Sequence, residues 1–109
     1  MSKRAVYDSE KKKLTEVFSN VEESKRKLVE GLIEDACFLK SENHDLKATL
    51  TETGMVNFHP TKKELQKPVE AARQYLKNVN SYAVIIKTLN GVLNKNILED
   101  DDELSEFEW

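Results

Sequence analysis

The chain has 109 residues, of which 39% are hydrophobic and 34% are charged, so it is long enough for one domain with a thin core. Runs of β-branched residues are scarce, as are Gly and Pro, which disfavours a compact sheet and favours long helices. The thin core suggests that these helices bury part of their apolar surface against other copies of the chain. Because Cys37 is the single cysteine, and neither a membrane-spanning run nor a signal peptide is evident, we expect a soluble intracellular protein without disulfides.

Charge is segregated along the chain, although the net charge is only −3. Residues 1–27 and 61–96 are basic, whereas residues 28–60 and 97–109 are acidic. The last of these segments holds seven carboxylates and no Lys or Arg. This layout is typical of a chain whose ends meet partners of opposite charge, but solvated helix faces and a disordered tail give the same pattern.

The first half predicts a flexible basic arm over residues 1–8, followed by a helix capped by Ser9. Apolar residues then recur at helical spacing from Leu14 to Leu50. A continuous helix over residues 9–51 would be about 60 Å long, too long to bury its stripe within a monomer of this size. The helix therefore either breaks near Gly31 or Ser41, or packs against neighbouring subunits.

Residues 53–60 predict the point where the chain folds back on itself. Gly54 can take the left-handed conformation that ends a helix, and we expect an extended connector with Phe58 tucked onto the helices. Thr61 and Glu64 have the spacing of a capping box, which predicts that the second helix starts near residue 61.

The second half predicts another amphipathic helix, either kinked at Pro68 or restarting there. Its apolar stripe runs to Leu93 and is wider than one partner helix covers, which indicates burial on two sides. The predicted fold is all-α: a long antiparallel helical hairpin with extra helical segments, assembling into a ring-like oligomer. The predicted organisation is an arm over residues 1–8, a helical domain over residues 9–96 and an acidic tail over residues 97–109.

No motif for catalysis, a cofactor or a metal is present in the sequence. The three glycines are scattered, so there is no phosphate-binding loop. His44 and His59 lack Cys or carboxylate partners at zinc spacing, and Cys37 beside Phe38 is typical of a packed thiol. We therefore expect a protein that is not an enzyme.

Two stretches carry a resemblance to a known family. The first is the run Leu32-Ile33-Glu34-Asp35-Ala36-Cys37-Phe38-Leu39, followed by Leu46-Lys47, Leu50 and Glu52-Thr53-Gly54. The second is Lys67-Pro68 followed by Tyr75, Tyr82, Ile86-Lys87, Leu89 and Leu93. Their order and spacing, with the ending Leu104-Ser105-Glu106-Phe107, resemble phage terminase small subunits over about two thirds of the chain. Gln66-Lys67-Pro68 replaces the family's usual Lys-Ser-Pro, and residues 1–27 match nothing distinctive.

The resemblance implies a ring-forming, non-enzymatic protein in the host cytoplasm. Such proteins bind double-stranded viral DNA at the packaging start and bring it to the terminase large subunit, which holds the ATPase and nuclease. The partners implied are therefore viral DNA, the large subunit and further copies of the chain. The alternative is a helical adaptor or coiled-coil protein without DNA binding.

Charge and periodicity supply the candidate contact residues. Two clusters of cations are candidates for DNA binding: Lys11, Lys12, Lys13, Lys25, Arg26 and Lys27, and then Lys62, Lys63, Lys67, Arg73 and Lys77. Six apolar or aromatic residues are candidates for the interface between subunits, although each could instead lie in the core: Phe38, Leu39, Leu46, Tyr75, Tyr82 and Ile86. Leu104, Phe107 and Trp109 in the acidic tail are candidates for binding the large subunit, although a solubilising or DNA-competing tail would have the same composition.

Overall fold

The computed structural model describes the backbone of residues 1–107 and the side chains of residues 1–95. The elements, numbered in chain order, are α1 (Lys3–Val17), α2 (Glu23–Thr53), β1 (Val56–Phe58), β2 (Gln66–Pro68) and α3 (Glu70–Phe107). The prediction of a mostly helical protein is confirmed. The short pair of strands was not predicted, and α3 continues through Phe107 into the acidic segment.

The first helix begins at Lys3 and includes residues 3–8 of the predicted arm, so the predicted cap at Ser9 is wrong. The Ser2 hydroxyl accepts a hydrogen bond from the Ala5 N–H at 3.1 Å, which caps the helix and lets it begin at Lys3. Tyr7 then packs against the core, and this tertiary contact stabilises the first turns.

The break in the first half of the chain lies at residues 18–22, and α2 continues through both Gly31 and Ser41. Phe18 and Val21 in this turn are only 3% and 4% exposed, so they fix α1 against α2. The Ser41 hydroxyl bonds back to the Phe38 carbonyl at 2.7 Å, which satisfies it within the helix.

Gly54 ends α2, as the sequence predicted. Its φ of 75° is open to glycine but disfavoured for other residues, and its N–H donates to the Leu50 carbonyl at 2.8 Å. The chain then enters the strand pair, in which Val56 faces Pro68, Asn57 faces Lys67 and Phe58 faces Gln66.

This β-hairpin, residues 55–69, replaces the predicted connector and the predicted helix start at residue 61. Thr61 does not cap a helix, because its N–H and that of Lys62 both donate to Nδ1 of His59, at 3.2 and 3.1 Å. The ends of the hairpin close where the Val69 N–H donates to the Met55 carbonyl at 3.0 Å, and α3 begins immediately afterwards. Phe58 is 60% exposed and is not tucked onto the helices.

The core lies where α1 and α3 both pack along α2. Side chains from all three helices and the 18–22 turn meet in one buried cluster, to which Tyr7, Leu32, Tyr82, Ile85, Ile86, Val92 and Leu93 add partly buried apolar surface. The fully buried members of the cluster are Leu14, Phe18, Val21, Val29, Ile33, Ala36, Cys37 and Leu89. The hairpin contributes nothing to this cluster, so it is free for other contacts.

Candidate nucleic-acid interface

The β-hairpin is the most exposed ordered part of the described chain. Every residue from 51 to 68 is exposed, on both strands and in the turn between them. Two strands alone are marginally stable in water, so the hairpin depends on its closing hydrogen bonds and its own turn for order. A structured segment that buries so little within its own chain is well placed to contact a partner.

Five of the predicted DNA-binding cations lie on this hairpin or on the first two turns of α3. All five are exposed, and none forms an ion pair with a side chain of the described residues. They are Lys62, Lys63, Lys67, Arg73 and Lys77. Their positive charge is therefore not neutralised within the described part of the chain, and it can act on an external anion.

The cations of α1 and of the start of α2 are in a different situation. Lys13 lies 3.7 Å from a carboxylate oxygen of Glu10, and Lys27 lies 3.7 Å from one of Glu23. Lys25 is half-buried and already has an interaction within the chain. Part of the charge of this cluster is therefore compensated locally.

A groove between α1 and α2 collects three of these cations. Lys11, Arg26 and Lys27 line a cavity of about 410 Å³ whose floor is formed by Phe18 and Ile33. Lys12 and Lys13 are exposed but do not line the groove. Three carboxylates share the lining: Glu23, Glu30 and Glu34. Because cations and carboxylates are equal in number, the groove is a weaker anion site than the hairpin.

The predicted interface residues divide between the core of the chain and its surface. Tyr82 and Ile86 pack against the core cluster, which is the core alternative that the sequence left open. Phe38 is 56% exposed and remains available to a neighbour. Partly buried positions are Leu39, Leu46 and Tyr75.

Three exposed apolar residues on α3 were missed as interface candidates. Leu76 is 50% exposed, Val79 is 38% exposed and Val84 is 64% exposed. The signal for them was the width of the α3 stripe, which exceeds what α2 covers. Sequence alone could not say which edge of that stripe stays exposed.

A hydrogen bond to a buried carboxylate joins α1 and α3. The Tyr82 hydroxyl of α3 donates to Oε1 of Glu10 on α1 at 2.6 Å, and Glu10 is 6% exposed. Burial, together with this hydrogen bond to the carboxylate, raises the pKa of Tyr82 well above its usual value. Burial also raises the pKa of the Cys37 thiol, so both groups stay protonated near neutral pH and neither is activated as a nucleophile.

Metal and membrane sites are not found within the described residues. No group of three or more His, Cys, Asp or Glu side chains there is arranged to hold a metal ion. None of the described helices combines the length and the apolar character required to cross a bilayer. The tail candidates Leu104, Phe107 and Trp109 lie outside the described side chains.

Comparison of the chain with protein-family models, with characterised proteins and with solved structures finds no match.

Proposed function

We propose that the protein is a phage terminase small subunit, a non-enzymatic protein that binds double-stranded viral DNA and recruits the large ATPase and nuclease subunit. The observation that carries the proposal is the set of five exposed cations on the hairpin and the start of α3, none of them paired within the described residues. The resemblance of residues 32–93 to that family supplies the biological context.

Assembly into a ring is part of the proposal. In it, α2 and α3 form the long helical hairpin of each subunit, and neighbouring subunits meet through apolar side chains that the subunit leaves exposed. Phe38, Leu76 and Val79 supply such surface. Heterologous contacts of this kind close into a ring when the rotation between subunits permits it. Each subunit of a ring contributes its own hairpin cations, so the total positive charge that faces DNA is larger than that of one subunit.

Salt-dependent binding to duplex DNA tests the proposal. The affinity of the whole protein for a random-sequence duplex should fall steeply between about 50 and 200 mM salt, because phosphate contacts release counterions. Lys62→Glu with Lys63→Glu should weaken binding and flatten the salt slope by about one unit per lost contact.

The matched control is Lys87→Glu with Lys95→Glu, which changes net charge equally at exposed positions farther along α3. If the two double variants weaken binding equally, only net charge matters and the hairpin is not the interface. Failure of the wild-type protein to bind the duplex at low salt would overturn the proposed function.

Capture of the large subunit is assigned to the acidic segment. Residues 99–109 combine seven carboxylates with Leu104, Phe107 and Trp109, and aromatic anchors in an acidic peptide suit a groove on a partner. Deletion of residues 99–109 should abolish capture in a pull-down and leave DNA binding intact. Unchanged capture would refute the assignment, and tighter DNA binding would instead indicate a tail that competes with DNA.

The second candidate is a helical adaptor without DNA binding. The observation that favours it is the exposed apolar surface on the helices, including Leu28 at 81% and Val84 at 64%. A monomer or dimer indifferent to DNA would support the adaptor, whereas a larger closed oligomer that binds DNA supports the terminase subunit.

A further inference from the structure

The tip of the β-hairpin carries two exposed apolar side chains. Phe58, the last residue of β1, is 60% exposed, and Leu65, just before β2, is 52% exposed. The His59 N–H donates to the Leu65 carbonyl at 2.9 Å, so His59, the residue after Phe58, is held against Leu65 across the hairpin. The tip therefore presents an aromatic ring and a branched aliphatic side chain to solvent.

Cations surround these apolar groups. Lys62 and Lys63 lie in the turn between Phe58 and Leu65, and Lys67 follows on β2. Glu64 is the only carboxylate of residues 55–69. A recess of about 270 Å³ at the tip is lined by both apolar side chains together with Asn57, His59, Gln66 and Lys67.

The turn is ordered without support from the helices. Nδ1 of His59 accepts the N–H groups of Thr61 and Lys62, and Pro60 fixes the backbone between them. A tip held in this way loses little further conformational freedom when it binds, which favours insertion into a partner.

We infer that the hairpin inserts Phe58 as a wedge between base pairs of double-stranded DNA and kinks the duplex. Lys62, Lys63 and Lys67 bind the phosphates on either side of the wedge. This inference rests on the proposed function and adds to it the element that enters the groove. It also makes the protein one that bends DNA as well as binding it.

DNA is the partner that satisfies both features of the tip. Its phosphates complement the lysines, and its base stack is an apolar environment for the Phe58 ring. Apolar side chains of DNA-bending proteins enter the duplex in this way, between partly unstacked base pairs. The amides of Asn57 and Gln66, which also line the recess, can bond the edges of the bases beside the wedge.

Energy transfer between dyes at the two ends of a random-sequence duplex measures the kink. Wild-type protein should raise the transfer on binding. Phe58→Ala should lose most of that rise and bind roughly tenfold more weakly, since the wedge is gone while the phosphate contacts remain. Phe58→Leu should keep the rise, because an aliphatic side chain can also act as a wedge.

Leu28→Ala is the control, since Leu28 is 81% exposed on α2 and lies away from the hairpin; it should bind and bend DNA as wild type does. Binding by wild type without a rise in transfer, or an equal rise with Phe58→Ala, would overturn the wedge but leave the proposed function standing. Failure of wild type to bind the duplex would overturn both.

Two further measurements identify other occupants of the tip. A lower oligomer mass for Phe58→Ala in sedimentation would make Phe58 a contact between copies and overturn the wedge. Tighter binding to anionic phospholipid vesicles than to the duplex would also overturn the wedge and would identify a lipid surface as the partner of the tip.

Discussion

Glu10 holds a carboxylate inside a three-helix core that has few polar groups. It stays buried because Tyr82 donates to Oε1 at 2.6 Å and Lys13 lies 3.7 Å from Oε2. The Lys40 ammonium lies over the Tyr82 ring, 5.3 Å from its centre. This one hydrogen bond links α1 to α3 directly.

Removal of the Tyr82 hydroxyl tests the importance of that link. Tyr82→Phe should lower the free energy of unfolding by about 1–3 kcal/mol, because a buried carboxylate loses its donor. Urea unfolding followed by circular dichroism measures the change. Tyr75→Phe is the matched control: Tyr75 is half-buried on the same helix, and its hydroxyl has no partner among the described residues. Equal losses for the two variants would contradict this role of Tyr82.

The raised pKa of Tyr82 gives a dependence of stability on pH. The folded state binds this proton more tightly than the unfolded chain, whose tyrosine titrates near pH 10. The stabilisation is therefore fully present below about pH 10 and is lost as pH rises toward the folded-state pKa. Between about pH 9 and 11, the urea midpoint of wild type should fall more steeply than that of Tyr82→Phe. If the urea midpoints of the two proteins fell in parallel with pH, the raised pKa of Tyr82 would be contradicted.

Sequence reasoning missed the burial of Glu10 for a clear reason. The residue precedes Lys11, Lys12 and Lys13, which is the composition of a solvated helix face. Its partner Tyr82 lies 72 positions later in the chain, and only the packing of α1 and α3 on α2 brings the two together. The burial of Cys37 was predictable, because an uncharged thiol among apolar residues at helical spacing is typical of a packed side chain.

Substitution of two glycines by alanine should change the free energy of unfolding with opposite signs. Gly31 lies inside α2 with space for a methyl group, so Gly31→Ala should stabilise the protein by about 1 kcal/mol. Gly54 has φ 75° and ψ 170°, a conformation almost restricted to glycine, so Gly54→Ala should destabilise it by about 1–3 kcal/mol. Thermal unfolding measures both, and shifts of the same sign would contradict the assigned backbone conformations.

The helix stop at Gly54 was predictable because it needs only one residue of a distinctive type. The turn at residues 18–22 was not, because Phe18 and Val21 continue the apolar spacing of α1 and so resemble a helix interior. They are apolar because the turn itself is buried. The β-hairpin was missed because its strands have only three residues each, too few for alternation to be distinguished from a connector.

In the folded chain, α1 and α3 cover α2, while α3 keeps Leu76, Val79 and Val84 exposed to solvent. If the proposed oligomer forms through this edge, Leu76→Glu with Val79→Glu should lower its mass in sedimentation equilibrium without loss of helical content. Thr88→Glu with Asn90→Glu adds the same charge at exposed positions on α3 and is the control. A wild-type protein that is monomeric at micromolar concentration would contradict the assembly.

The candidate DNA interface was predictable as a set of cations but not as a surface. The two basic clusters are similar in size, and their composition does not distinguish between them. Lys13 and Lys27 of the first cluster pair with nearby carboxylates, whereas Lys62, Lys63 and Lys67 of the second form no ion pair within the described residues. Both ion pairs lie within one helix, at i,i+3 and i,i+4 spacing, whereas the hairpin that carries the three lysines was not predicted from periodicity.

Sedimentation velocity of a dye-labelled random-sequence duplex mixed with the protein reports DNA binding and assembly in one measurement. We predict one fast species, heavier than a duplex with a single protomer, that dissociates between about 50 and 200 mM salt. A duplex that sediments as free DNA at low salt, beside protein that sediments as a monomer, would contradict both DNA binding and assembly.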